Sequence, residues 1–240
     1  MMKTIGRFIS AKELYKYNDK FNSKTYINLF EKLNLPQNNT KYDIVELTHI
    51  PDSKEENIVI ETNKLIDFGD EAKAVLSYYQ TKKGNDLTYE GEVFQLWKRE
   101  GKHVVFKEYV NGNLVDSKVE DGFIDIYKDY LGVGKDTSSL FYNPASCIQS
   151  GSCCYFEGKR YEHCGKYCGI YENAGGGTPI NALDRCCRTH DVNIKGKKGR
   201  DRCPAHKKFM SCSKGLKAPG IRTIRTGIRI DALASGCGVI

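Results

Sequence analysis

Residues 167–191 read YCGIYENAGGGTPINALDRCCRTHD. A glycine-rich loop runs into a segment with two adjacent cysteines and an adjacent His-Asp pair. Gly169, Gly175, Gly176 and Gly177 permit backbone angles that other residues resist, so the loop can turn several carbonyls onto one point. A hard cation takes oxygen ligands at about 2.3–2.6 Å. Pro179 fits a helix start and Asn181 fits its N-cap. From there Leu183, Cys187, His190 and Ile194 recur at helical spacing on one face, with Cys186 and Asp191 on its shoulder. Asp191 could complete a cation's shell, and His190 could take a proton from a water beside it. A base next to a metal-polarised carbonyl is sufficient to hydrolyse an ester.

The cysteines divide the chain. All ten lie between Cys147 and Cys237. Residues 146–240 carry 17 Lys and Arg against 7 Asp and Glu, a net of +10; the preceding residues carry 20 against 23, giving +7 for the chain. This contrast predicts two domains, 1–131 and 147–240, joined by the small, polar linker 132–146. The cysteine density is that of a disulfide scaffold. A zinc site on Cys153, Cys154, His163, Cys164 and Cys168 is the alternative, but the spacing matches no strong zinc pattern.

In residues 1–146 the period changes once. Residues 11–34 carry Leu14, Tyr17, Phe21, Tyr26, Leu29, Phe30 and Leu33 at helical spacing, in two pieces broken near Asn22-Ser23. Strands are predicted at 42–49, 57–68, 71–82, 88–98, 102–110 and 114–119, the last two joined by an Asn111-Gly112-Asn113 turn. A short helix is predicted at 122–131. The whole reads as a helix on a twisted antiparallel sheet, of cystatin-like or similar architecture. His49 and His103 read as sheet-face residues. The domain could be a pro-region, an inhibitor or a delivery module.

The stretch 167–191 resembles the active-site region of secreted phospholipases A2. CCRTHD is most similar to group III, bee-venom-type enzymes. The distance from Tyr167 to Pro179 is similar to that in the calcium loop of parvoviral capsid phospholipases. The resemblance implies an α+β chain whose C-terminal part is a mainly α, disulfide-rich, Ca2+-dependent phospholipase A2 domain. It further implies His190 as general base, Asp191 as the calcium carboxylate and carbonyls at Tyr167, Gly169 and Tyr171 as further ligands. CPAHKKFMSC, 203–212, resembles the second catalytic helix of group III enzymes, with Phe209 and Cys212 in register. One position departs: His206 stands where the family has the Asp that orients the catalytic His. Asp201 or Asp231 could supply that carboxylate; otherwise the domain is a weakly active or inactive module that binds membranes or another partner. Ile194 replaces a frequent Tyr. Asn193 and Ala205 replace both members of one family disulfide. The remaining pairs implied are Cys168–Cys187, Cys186–Cys212 and Cys203–Cys237, with Cys147, Cys153, Cys154 and Cys164 in two further bridges of open connectivity.

Lys197 and Lys198 lie in a charged surface loop. Arg222, Arg225 and Arg229 alternate at helical spacing with Ile221, Ile224 and Ile228. These five cations are the candidates for contact with an anionic phospholipid surface; a solvated face is the plainer reading. No nucleic-acid motif accompanies the positive charge, so a nucleic-acid partner is not expected. The first residues lack the apolar core of about 7–15 residues that an export signal needs, and no apolar run approaches the ~20 residues of a membrane span. Disulfides and a one-carboxylate calcium site nevertheless favour an oxidising, calcium-rich exterior. Lysis, a non-classical export route or delivery as a toxin would reconcile the two.

Overall fold

The computed structural model describes residues 3–9, 11–21, 24–35, 41–51, 55–123, 147 and 153–240. Seven strands form one antiparallel sheet in chain order: β1 (Lys3–Phe8), β2 (Lys41–Ile50), β3 (Ile58–Asp67), β4 (Ala72–Lys83), β5 (Asp86–Glu100), β6 (His103–Val110) and β7 (Asn113–Glu120). The six predicted strands appear as β2–β7, their ends moved by no more than two residues. β1 was not anticipated; the free edge of β2 supplies its pairing partner, from Lys3↔Ile50 to Phe8↔Val45. Asn111 and Gly112 both have positive φ, 47° and 81°, the turn that suits the twist of a two-residue hairpin.

Between β1 and β2 a 3-10 turn (Ala11–Tyr17) leads into α1 (Asn18–Phe21) and then α2 (Lys24–Lys32). Residues 22 and 23, where the break was expected, lie outside the described residues. So do residues 124–146, which include most of the expected 122–131 helix and all of the expected linker. Tyr17, Phe21, Tyr26 and Leu29 are buried against Ile44, Ile66, Leu76, Phe94 and Leu96 on one sheet face. Burial of each such side chain contributes roughly 1.5–3 kcal/mol. Alternation in the strands therefore selects the face that carries the helices.

The C-terminal part contains a small hairpin, β8 (Tyr155–Phe156) and β9 (Lys159–Arg160), and three helices: α3 (Ala182–Ile194), α4 (Cys203–Cys212) and α5 (Ile221–Ala234). Ile221 and Ile224 of α5 join a core with Leu183, Cys186, Cys187 and Phe209. Ile230, Leu233 and Ala234 pack instead on Val59, Tyr79 and Val93 of the sheet. Asn57 closes the C-terminal end of α5, its backbone N–H donating to Ala234 O and its Nδ2 to Leu233 O. One helix is thus common to the cores of both halves.

Polar contacts fix its position. Glu108 Oε1 accepts from Arg225 Nη2 at 2.7 Å and from Arg229 Nη2 at 3.2 Å. Arg222 reaches Glu120 at 3.4 Å and lies over the Trp97 ring. The arginines expected at a lipid surface are therefore turned onto the sheet: Arg229 is 1% exposed and Arg225 7%. The reason is the acidic side chains of β6 and β7, which a local reading of 218–236 does not include. Lys197 and Lys198 remain exposed.

Burial alone would raise the Glu108 pKa, but Arg229 and Arg225 outweigh it and hold the group at about 2, against an ordinary 4.5. A depressed folded-state pKa gives stability that is complete above the unfolded-state value and is lost as pH falls through the folded one. Thermal unfolding between pH 4.5 and pH 2 should therefore show a declining midpoint, and Glu108→Gln should flatten that decline. At pH 7 the same substitution leaves two buried guanidinium groups short of a counter-charge and should cost about 3–5 kcal/mol by denaturant titration.

Candidate active site

The start of α3 is built by two polar side chains. Asn181 caps the helix, its Oδ1 accepting from Asp184 N at 2.9 Å. Asp184 is fully buried and accepts backbone N–H groups of Glu162, His163 and Ile180 at 2.8–3.0 Å. Three donors stabilise a buried carboxylate and tie segment 160–164 to the helix start.

That tie decides the disulfides. Beside the anchored segment, Cys164 Sγ lies 3.8 Å from Leu183 O, one turn before Cys187, and Cys164 pairs with Cys187. Cys168 pairs with Cys153 instead of the expected Cys187. A Cβ at Gly175 would collide with both of those sulfurs, so the glycine makes room for the bridge. Cys147–Cys154 completes the N-terminal group, while Cys186–Cys212 and Cys203–Cys237 are bonded as the resemblance implied. With their sulfurs so bonded, Cys153, Cys154, Cys164 and Cys168 do not form the alternative zinc set.

His190 and Asp191 lie near the end of α3 with different surroundings. His190 is buried, stacked edge-on against Phe209, and its Nε2 lies 3.0 Å from His206 Nδ1 on α4. Burial, then His206 and Arg202, lower its pKa to about 3. The imidazole is consequently neutral across the physiological range, and the same burial that keeps it so weakens it as a base. Asp191 Oδ2 is buried without a hydrogen-bond partner. It faces His163 Nδ1, equally unpartnered, at 3.7 Å. Burial first, then Glu172 and Asp184, raise the Asp191 pKa to about 8.

The loop before α3 runs close against this carboxylate. Gly169 has φ 143°, and a Cβ there would collide with Asp191 Oδ2. The Gly169 carbonyl accepts from Glu172 N at 3.2 Å, and its N–H donates to Ala174 O. An orphaned buried carboxylate oxygen, opposite a space that only glycine leaves open, fits a hard cation. Tyr167 lies in the same loop with positive φ, 59°. Tyr171 is exposed, its ring 3.5 Å from Lys195 Nζ.

Of the candidate orienting groups, Asp201 is exposed on the turn before α4, whereas Asp231 Oδ2 on α5 faces His206 Nε2 at 3.7 Å. The positions of Asp184 and His163 were not foreseen as part of the site. Asp184 carried one signal, an acid three residues after an N-cap.

No family model matches the chain, and no solved structure matches it. Several curated proteins do. The chain is 35% identical over 94 residues to "Probable phospholipase A2 homolog 1" of Oryza sativa subsp. japonica, covering 38% of this chain and 65% of that protein. It is 42% identical over 60 residues to phospholipase A2 of Oryctolagus cuniculus, covering 25% and 38%. It is 45% identical over 65 residues to phospholipase A2-delta of Arabidopsis thaliana, covering 27% and 32%. The matches cover only the C-terminal region, and the chain spans less than two thirds of each relative. That region is a phospholipase A2-like module.

Gly169→Ala should displace the Asp191 carboxylate, and a calorimetric Ca2+ titration in which the substitution costs about tenfold or more in affinity would place a cation at it. Unchanged affinity would remove Asp191 from the cation site.

Proposed function

We propose that this phospholipase A2-like module hydrolyses the sn-2 ester of phospholipids in a Ca2+-dependent reaction, releasing a lysophospholipid and a free fatty acid. The observation that carries the reading is the pairing, at the end of one helix, of a buried imidazole with a carboxylate whose inner oxygen is buried without a partner. His190 bonds to His206 through Nε2, so Nδ1 is the atom left to take a proton from water. That proton transfer generates the hydroxide that attacks the ester carbonyl. Asp191 would hold the cation, with carbonyls of Tyr167, Gly169 and Tyr171 as the further ligands. A bound Ca2+ supplies polarisation of the ester carbonyl and stabilisation of the oxyanion.

Lys197 and Lys198, exposed beyond the end of α3, are among the cations available to an anionic phospholipid surface. Each well-placed cation contributes about 1 kcal/mol there. Five disulfides are consistent with an oxidising, extracellular setting. The presence of His206 at the orienting position favours a second reading, a module that binds lipid without chemistry.

Fatty-acid release from anionic phospholipid vesicles separates the two. The oxidised full chain should release fatty acid with Ca2+, lose release with chelator, and lose on the order of 10³-fold in rate with His190→Gln. Vesicle binding without release from the folded protein would establish the second reading.

A further inference from the structure

Behind His190 stands a second imidazole, and behind that imidazole stands a carboxylate. His190 Nε2 is 3.0 Å from His206 Nδ1, and His206 Nε2 is 3.7 Å from Asp231 Oδ2. His206 is fully buried, with no hydrogen-bond partner at Nε2. The three groups come from three helices, α3, α4 and α5.

We infer that His206 and Asp231 act together as the positioning pair for His190, doing through two side chains what one carboxylate would otherwise do. The catalytic part of this inference rests on the phospholipase reading above. A neutral imidazole has one N–H and one lone pair. A carboxylate only accepts, so Asp231 favours the His206 proton on Nε2. His206 Nδ1 is then an acceptor, which keeps the His190 proton on Nε2. The lone pair of His190 is left at Nδ1, the side away from His206, where water can be deprotonated. The 3.7 Å gap exceeds a direct hydrogen bond; a small rotation of the partly exposed Asp231 closes it.

Asp231 has a second neighbour. Its Oδ1 lies 3.6 Å from Arg202 Nη1, which is also 3.5 Å from Glu56 before β3. This ion pair provides the control that separates orientation from structure.

The test uses the full oxidised chain with 15N-labelled histidine and long-range proton–nitrogen spectra. In the parent protein both His190 and His206 should carry their proton on Nε2; a proton on His190 Nδ1 overturns the inference. In Asp231→Asn the amide Oδ1 stays on the Arg202 donor, which turns its NH2 to His206 Nε2, so both rings should exchange tautomer. In the same variant kcat should fall on the order of a hundredfold, with KM within about twofold. Arg202→Gln removes a charge that acts on His190 but not the acceptor at His206, so it should shift the pH profile while leaving both tautomers unchanged. Adding His206→Asp to Asp231→Asn should restore kcat to within about threefold of the parent, because a carboxylate then meets His190 directly. Unchanged tautomers in Asp231→Asn, or exchanged tautomers in Arg202→Gln, overturn the inference and leave the phospholipase reading intact. If the parent chain releases no fatty acid, the phospholipase reading fails, and the tautomer exchange alone decides the pair.

Discussion

Glu108 holds the two halves of the described structure in register. Its carboxylate is buried on the sheet and accepts from two guanidinium groups of one helix. Desolvating three charged groups is costly, and only close pairing offsets it. The pairing therefore leaves α5 little freedom to slide or rotate. Apolar contacts on either side of the arginines would tolerate several orientations; the ion pairs select one. From that orientation follows the direction in which Asp231 points, and hence what stands behind His206.

A second buried carboxylate plays the local part. Asp184 gathers three backbone N–H groups from two separate segments and fixes where Cys164 meets α3. The loop that follows is held by Cys153–Cys168 and by the approach of Gly169 to Asp191. His163 Nδ1 and Asp191 Oδ2 are left facing each other, neither with a hydrogen-bond partner. Such an arrangement is unfavourable in an apolar setting unless a proton or cation lies nearby. The unpartnered pair at the candidate site is thus a product of the same anchoring that shapes it.

Much of this was legible in the sequence. Strands β2–β6 announced themselves by their recurring apolar residues, and Asn111-Gly112 named the turn that leads into β7. Asn181, His190 and Asp191 were readable because caps and adjacent pairs are local patterns. What escaped was long-range. The arginines of α5 look like a surface-seeking face until Glu108, Asp116 and Glu120 are brought opposite them, more than a hundred residues away in sequence. Cysteine spacing gives no connectivity, so Cys168 could not be assigned to Cys153 without knowing that Asp184 draws in the neighbouring segment. β1 carried no signal of its own because its partner's edge supplies the pairing.

The sharing of α5 also has a consequence for the order of assembly. The Glu108 contacts span 117 and 121 residues of sequence. Every element that α5 touches precedes it in the chain: the sheet, α3 and α4. During synthesis the sheet and the two earlier helices can form while the face each offers to α5 is still uncovered. Closing so large a loop is slow, and uncovered faces are exposed to wrong partners in the interval. The step that brings Arg225 and Arg229 to Glu108 also brings Asp231 to His206 and Cys237 to Cys203. Maturation of the site is in this way timed by the helix made after all the others.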